Sequence, residues 1–223
     1  MIMKRLSIVG LSLMMVLAVS AVAVGSASAA LPEFKTAGGF PVTFTSVSAL
    51  PLEPTLTTLA TLVKCGMSNG KGEISGAKLV SKMVITYTVC STTVLGSTVG
   101  CKTAGQSGNT IVTQPVMGEL GYTNAATKTV GILFHPETAN TTLLVEFSCS
   151  IVTVKITGSI IGLASPINVS QTTGVVSFTP ATMGQVEKNL EGGPTDKLEA
   201  FGEEASFMET ENKTFASAVE IKA

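Results

Sequence analysis

The residues of this 223-residue chain with chemistry to offer are few: four cysteines, one histidine, and serines, lysines and glutamates whose spacing must be weighed. The stretch TYTVCSTTVLGSTVGCKT, Thr86 to Thr103, holds Cys90 and Cys101; Cys65 and Cys149 lie on either side of it. Tetrahedral zinc sites draw on closely spaced Cys or His pairs, and thioredoxin-type redox centres on C-x-x-C. Neither spacing occurs here. An even number of well-separated cysteines in an exported chain reads as a disulfide framework. Of the three possible connectivities, the expected one is Cys90–Cys101 with Cys65–Cys149. Cys90 ends a predicted strand and the Ser/Thr/Gly segment to Cys101 closes easily. Cys65 and Cys149 each end an apolar run.

His135, the only histidine, sits in Phe134-His135-Pro136-Glu137, just past a predicted strand. It is the natural general base if this is a secreted hydrolase. An ordinary turn residue before proline explains it as well. A Ser-His-acid triad would draw on Asp196, the sole aspartate, or a glutamate, and no G-x-S-x-G elbow nominates a serine. Ser68-Asn69-Gly70-Lys71 and Ser75-Gly76-Ala77-Lys78 match S-x-x-K, but both lie in glycine-rich turn sequence without the partner motifs S-D-N and K-T-G. Glycoside hydrolysis needs two facing carboxylates. The glutamates are numerous, yet spacing selects no pair, and a chain with no Trp and only Tyr87 and Tyr122 is poor in sugar-stacking platforms. Glu199, Glu203, Glu204, Glu209 and Glu211 form an acidic cluster, but calcium loops are built on alternating Asp/Asn. The cluster reads as a solvated face. No Walker or dinucleotide glycine pattern is present, so neither cofactor nor metal is expected.

These groups need a scaffold and a compartment. The chain opens with Lys4-Arg5, an apolar run from Leu6 to about Val24, and Ala27-Ser28-Ala29. That order describes a Sec-type secretory signal peptide over 1–29. Cleavage leaves 223 − 29 = 194 residues, 30–223, for one domain. It also removes two of fourteen bases, so twelve face fifteen acids and the mature net charge is −3. Arg5 is the only arginine. Nucleic-acid recognition leans on Arg, so no nucleic-acid partner is expected. No second apolar run spans a bilayer, so no membrane partner is expected after cleavage. The partner foreseen is an extracellular or cell-envelope ligand.

Thr, Ser, Val and Ile dominate the mature chain, and turn signals recur at Gly38-Gly39, Asn69-Gly70, Gly105, Asn109, Pro136, Pro166 and Gly192-Gly193-Pro194. Short β-branched runs between turns predict an all-β domain, an antiparallel sandwich or barrel. The clearest alternation is in 142–149, with Leu143, Val145, Phe147 and Cys149 on one face, and in 151–158, with Val152, Val154 and Ile156 on one face. Only Ser150 parts these runs, which predicts one bent strand or a tight bulged pair. Residues 183–190 could form one or two helical turns. The acidic segment 191–213 reads as an edge hairpin or flap, and Val219-Glu220-Ile221-Lys222 as a closing strand.

Gly72-Glu73-Ile74-Ser75-Gly76, Gly118-Glu119-Leu120-Gly121-Tyr122, Thr157-Gly158-Ser159-Ile160-Ile161-Gly162 and Glu220-Ile221-Lys222-Ala223, with the four cysteines, resemble a group of exported β-rich proteins from soil actinobacteria that carry no assigned activity. The resemblance implies a secreted bacterial protein and supplies no catalytic residue. It also implies that the glycosylation triplets at Asn140, Asn168 and Asn212 go unused. The function expected is a non-enzymatic binding or structural role in the envelope or outside the cell. The alternative is a secreted hydrolase using His135 or a glutamate pair.

Overall fold

A computed structural model describes residues 32–223; the expected signal peptide lies outside the described residues. Eighteen strands and no helix make up this part. In chain order they are β1 (Glu33–Thr36), β2 (Val42–Ser48), β3 (Thr55–Thr57), β4 (Leu62–Lys64), β5 (Met67–Gly76) and β6 (Leu79–Thr88). There follow β7 (Ser91–Val94), β8 (Ser97–Lys102), β9 (Ile111–Val112), β10 (Val116–Asn124), β11 (Thr129–Pro136) and β12 (Leu143–Cys149). The last six are β13 (Val152–Gly158), β14 (Ile160–Ser165), β15 (Gln171–Phe178), β16 (Leu198–Ala200), β17 (Glu203–Glu204) and β18 (Ser206–Lys222).

Eight of these close on themselves. The antiparallel pairings run β2–β5–β6–β10–β11–β14–β15–β18 and back to β2, an eight-stranded barrel in chain order. Of the two architectures predicted, the chain adopts the barrel. Period-two alternation drives the closure: Val42 and Phe44 of β2, Val130, Ile132 and Phe134 of β11, and Val176 and Phe178 of β15 are buried inside. The intervening positions carry residues such as Thr43, Thr45, Lys71 and Glu119 outward. Closure also removes the unpaired edges that an open sheet exposes.

Because neighbouring strands are antiparallel, every second connection leaves from the same end. Each of these four connections carries a hairpin: β3–β4, β7–β8, β12–β13 and β16–β17. The hairpins pair with one another through β4–β7, β8–β12 and β13–β16, and the first residues of β18 pair with β3. A second ring therefore stands on one end of the barrel. The turns at the opposite end are short, and β1 seals that end against the last residues of β18.

The disulfides correct the expected connectivity. They are Cys65–Cys90 and Cys101–Cys149, with Cα–Cα separations of 3.9 and 4.2 Å. Cys90 and Cys101 do face each other at the base of one hairpin, where the Cys101 N–H donates to the Cys90 carbonyl at 2.9 Å. Each sulfur instead bonds sideways. Cys90 ties the β7–β8 hairpin to the end of β4, and Cys101 ties it to its register partner Cys149 on β12. Strand neighbours in space, set by ring closure, decided the pairing.

Other local expectations shift for similar reasons. Asn69-Gly70 lies mid-strand in β5 rather than at a turn, because small inward residues are needed there. Residues 142–158 form a tight hairpin with a register shift between Leu143 and Val145. Residues 183–190 are not helical. They belong to a loop on the outside of the barrel, with the Leu190 side chain over Gly121 and Gly131. The acidic segment 191–213 is not one flap: it comprises a loop, the β16–β17 hairpin and the first half of β18.

Candidate functional site

The groups singled out in the sequence do not converge. His135 lies within β11 rather than after it, pointing outward, with Nε2 3.6 Å from Glu119 Oε1 and Nδ1 3.1 Å from the Pro136 carbonyl oxygen. The Ser159 hydroxyl donates to Asp196 at 2.7 Å, so serine and acid pair without the histidine. In the first S-x-x-K match an odd spacing on β5 puts Ser68 inside the barrel and Lys71 outside. In the second, Ser75 donates to the Leu79 carbonyl at 3.4 Å beside the β5–β6 turn.

Inside the barrel is a cluster that the sequence reading assigned to solvent. Glu209, Glu211 and Lys213 share the inward face of β18, and the two carboxylates are 1% and 0% exposed. Lys213 Nζ forms an ion pair with Glu211 Oε2 and stands 5.3 Å from the centre of the Phe44 ring. Ser46 donates to Glu211 Oε1 at 3.4 Å. Glu209 accepts from the Ser68 hydroxyl through one oxygen and from the Tyr87 hydroxyl, at 3.3 Å, through the other. Ser48 Oγ accepts the Ser68 N–H at 3.0 Å.

Room for these side chains comes from β2 and β5. Register places Ser46 against Gly70 and Phe44 against Gly72. A Cβ on Gly70 would sit 2.5 Å from Ser46 Oγ, and one on Gly72 2.8 Å from the Phe44 ring. Small inward residues on two strands thus accommodate long charged ones on a third.

Burial, and then the neighbouring Glu211 charge, raise the Glu209 carboxyl to about 8, against the opposing pull of Ser68, Lys213 and Tyr87. Burial, followed by the charges of Glu209 and Glu211, pushes the Tyr87 phenol well above 10. At neutral pH the arrangement holds a protonated Glu209 beside an ion-paired Glu211 and Lys213, which balances charge in a site that water does not reach. As chemistry it is an acid pair with a proton to give, but it is walled off from any polymeric substrate. The signal for it was present: Phe207, Glu209, Glu211, Lys213 and Phe215 alternate with Met208, Thr210, Asn212 and Thr214. Both faces are largely polar, so the alternation did not reveal which was inside.

Above this cluster, where barrel and hairpin ring meet, lies an apolar cavity of about 110 Å³. Its walls include Leu56, Met83, Phe134, Phe147, Leu198 and Phe207, with Tyr87 between it and Glu209. An unfilled void of that size costs about 2–3 kcal/mol.

The far end of the hairpin ring has a second unusual feature. Each of the four hairpins ends in one exposed large apolar residue: Leu59 (66% exposed), Leu95 (102%), Ile151 (93%) and Phe201 (48%). Two of them occupy strained positions. Leu95-Gly96 and Phe201-Gly202 are two-residue loops with φ of 48° and 79°, and 56° and 80°. This is the type I′ geometry, whose first position normally carries Asn, Asp or Gly. In the third hairpin Ser150 takes the positive φ, 57°, and Ile151 follows it. The first is held by Thr58, whose hydroxyl oxygen accepts from the N–H groups of Ala60 at 3.2 Å and Thr61 at 2.9 Å. At the opposite end the β5–β6 and β10–β11 turns carry Lys78 and Lys128 instead, with Val169 exposed in the third.

No protein-family model matches the sequence, and neither a curated protein nor a solved structure matches it significantly.

Proposed function

We propose that this chain is an exported, non-enzymatic binding protein that uses its hairpin end to engage an uncharged apolar surface of the cell envelope, a lipid layer being the simplest. The observation that carries the reading is the recurrence of one exposed apolar side chain on each of four separate hairpin tips at one end. Burying each would contribute about 1.5–3 kcal/mol. Four prongs on separate hairpins find matching pockets on few proteins, whereas a lipid layer accepts them without any pocket. The charge of the ring favours a neutral surface. Its hairpins carry Lys64, Lys102 and Lys155 against Glu146, Glu199, Glu203 and Glu204, 3 − 4 = −1, which gives no attraction to an anionic one. The sequence argument against a membrane partner concerned spanning; tips that dip into an interface need no spanning run. Two disulfides suit an oxidising extracellular compartment, which supports export. The hydrolase alternative draws less support, with His135 on the outer wall and the glutamate pair sealed inside.

Flotation with phosphatidylcholine vesicles tests this. The protein should float with the vesicles, and the combined variant Leu59→Ser, Leu95→Asn, Ile151→Ser and Phe201→Asn should stay in the dense fraction. Equal flotation of both proteins, flotation of neither, or a concentration-dependent dimer that the same variant abolishes would each overturn it.

A further inference from the structure

We infer that the cavity between barrel and hairpin ring is a binding site for a small, uncharged, hydrocarbon-rich molecule of about the size of one aromatic ring. The inference goes beyond the surface reading and does not depend on it. The void of about 110 Å³ is walled from both layers, by Met83 and Phe134 of the barrel and by Leu56, Phe147 and Leu198 of the ring. It has the volume of a few waters, each needing about 30 Å³ and two to four polar partners. The walls supply almost none: the Tyr87 hydroxyl is committed to Glu209, and the Thr113 hydroxyl accepts the Ile85 N–H at 3.0 Å. Such a space stays dry, and dry apolar cavities take up apolar molecules.

One wall is an aromatic cluster. Phe207 meets Phe178 at 5.5 Å and Tyr87 at 6.1 Å between ring centres, and Phe178 meets Phe134 at 5.8 Å. Cross-braced rings keep the space open and offer faces and edges to a flat ligand. Beyond Tyr87 lie Glu209 and Glu211. With that cluster charge-balanced, it is the apolar lining, with no counter-charge and almost no hydrogen-bond partners to offset desolvation, that disfavours a carboxylate or phosphate and selects an uncharged ligand over a fatty acid.

Benzene, hexanol and hexanoate serve as probes, with methyl NMR of the disulfide-intact protein as readout. Benzene and hexanol should produce saturable one-site shifts at Leu56, Val63, Met83 and Leu198, and hexanoate should bind at least tenfold more weakly. Leu56→Phe, which fills the void, should weaken benzene binding at least tenfold. Because that variant can fail to fold, xenon pressurisation of crystals of the unaltered protein is a second measurement, with xenon expected in the void. Absence of both xenon and lining shifts, shifts confined to the hairpin tips, or hexanoate binding as tightly as hexanol would overturn the inference.

Discussion

Glu209 and Glu211 stand two residues apart on the same inward face of β18, yet their partners differ in kind. Glu209 is held by hydroxyls, from Ser68 and Tyr87, whereas Glu211 is held by the Lys213 ammonium. Burial and the neighbouring Glu211 charge outweigh the pull of those hydroxyls and keep Glu209 protonated at neutral pH, which has consequences for stability.

An unfolded glutamate releases its proton near 4.5, while folded Glu209 keeps it to about 8. Between those values the folded protein binds the extra proton, so the contribution of Glu209 to stability is greatest below 4.5 and falls as pH rises, by up to about 1.4 kcal/mol per pH unit. The loss should level off above about 8. Urea unfolding at several pH values checks this, and Glu209→Gln, which removes the titrating group, should flatten the curve over that window. An unchanged slope in that variant would assign the dependence elsewhere.

Lys213→Met should be far more damaging than an ordinary strand substitution. It strips the buried Glu211 of its counter-charge, for a cost of about 3–5 kcal/mol. The double variant Lys213→Met with Glu211→Gln should recover much of that loss in the same unfolding assay.

Gly70→Ala should destabilise by about 1–3 kcal/mol, because the new methyl meets Ser46 Oγ at 2.5 Å. Ser46→Gly in the same chain should relieve the clash, and a thermal melt of the single and double variants decides the point.

Digestion of the unreduced protein should release Cys65 linked to Cys90 and Cys101 linked to Cys149, and no Cys90–Cys101 peptide. The bridges span 25 and 48 residues. In the chain-entropy account they contribute about 3.5 and about 4 kcal/mol. Replacing Cys101 and Cys149 together with Ser should therefore lower the urea midpoint markedly.

Leu95→Asn should make the protein more stable by up to about 1 kcal/mol, since Asn suits the first position of a type I′ turn. It should also weaken vesicle flotation. Unfolding and flotation measured on the same variant would show stability and binding moving in opposite directions. Binding that stays intact would separate the tips from the proposed role.

Much of the fold was legible residue by residue. β-Branched runs with alternating burial identified an all-β domain, and the alternation in 142–158 matches the buried Val145, Phe147, Cys149, Val154 and Ile156. Four separated cysteines without zinc spacing implied two bridges, and two are present. These are local properties, because side-chain shape and period-two patterning act within a few residues. Which cysteine meets which depended on hairpins far apart in the chain becoming neighbours in a ring, and no local pattern encodes that. The acidic stretch ending at Lys213 shows the same limit. Composition alone placed Glu209 and Glu211 in water. Closure of the barrel turned them inward against Ser46, Ser68 and Gly70, where hydroxyls and one ammonium replace the solvent that burial removes.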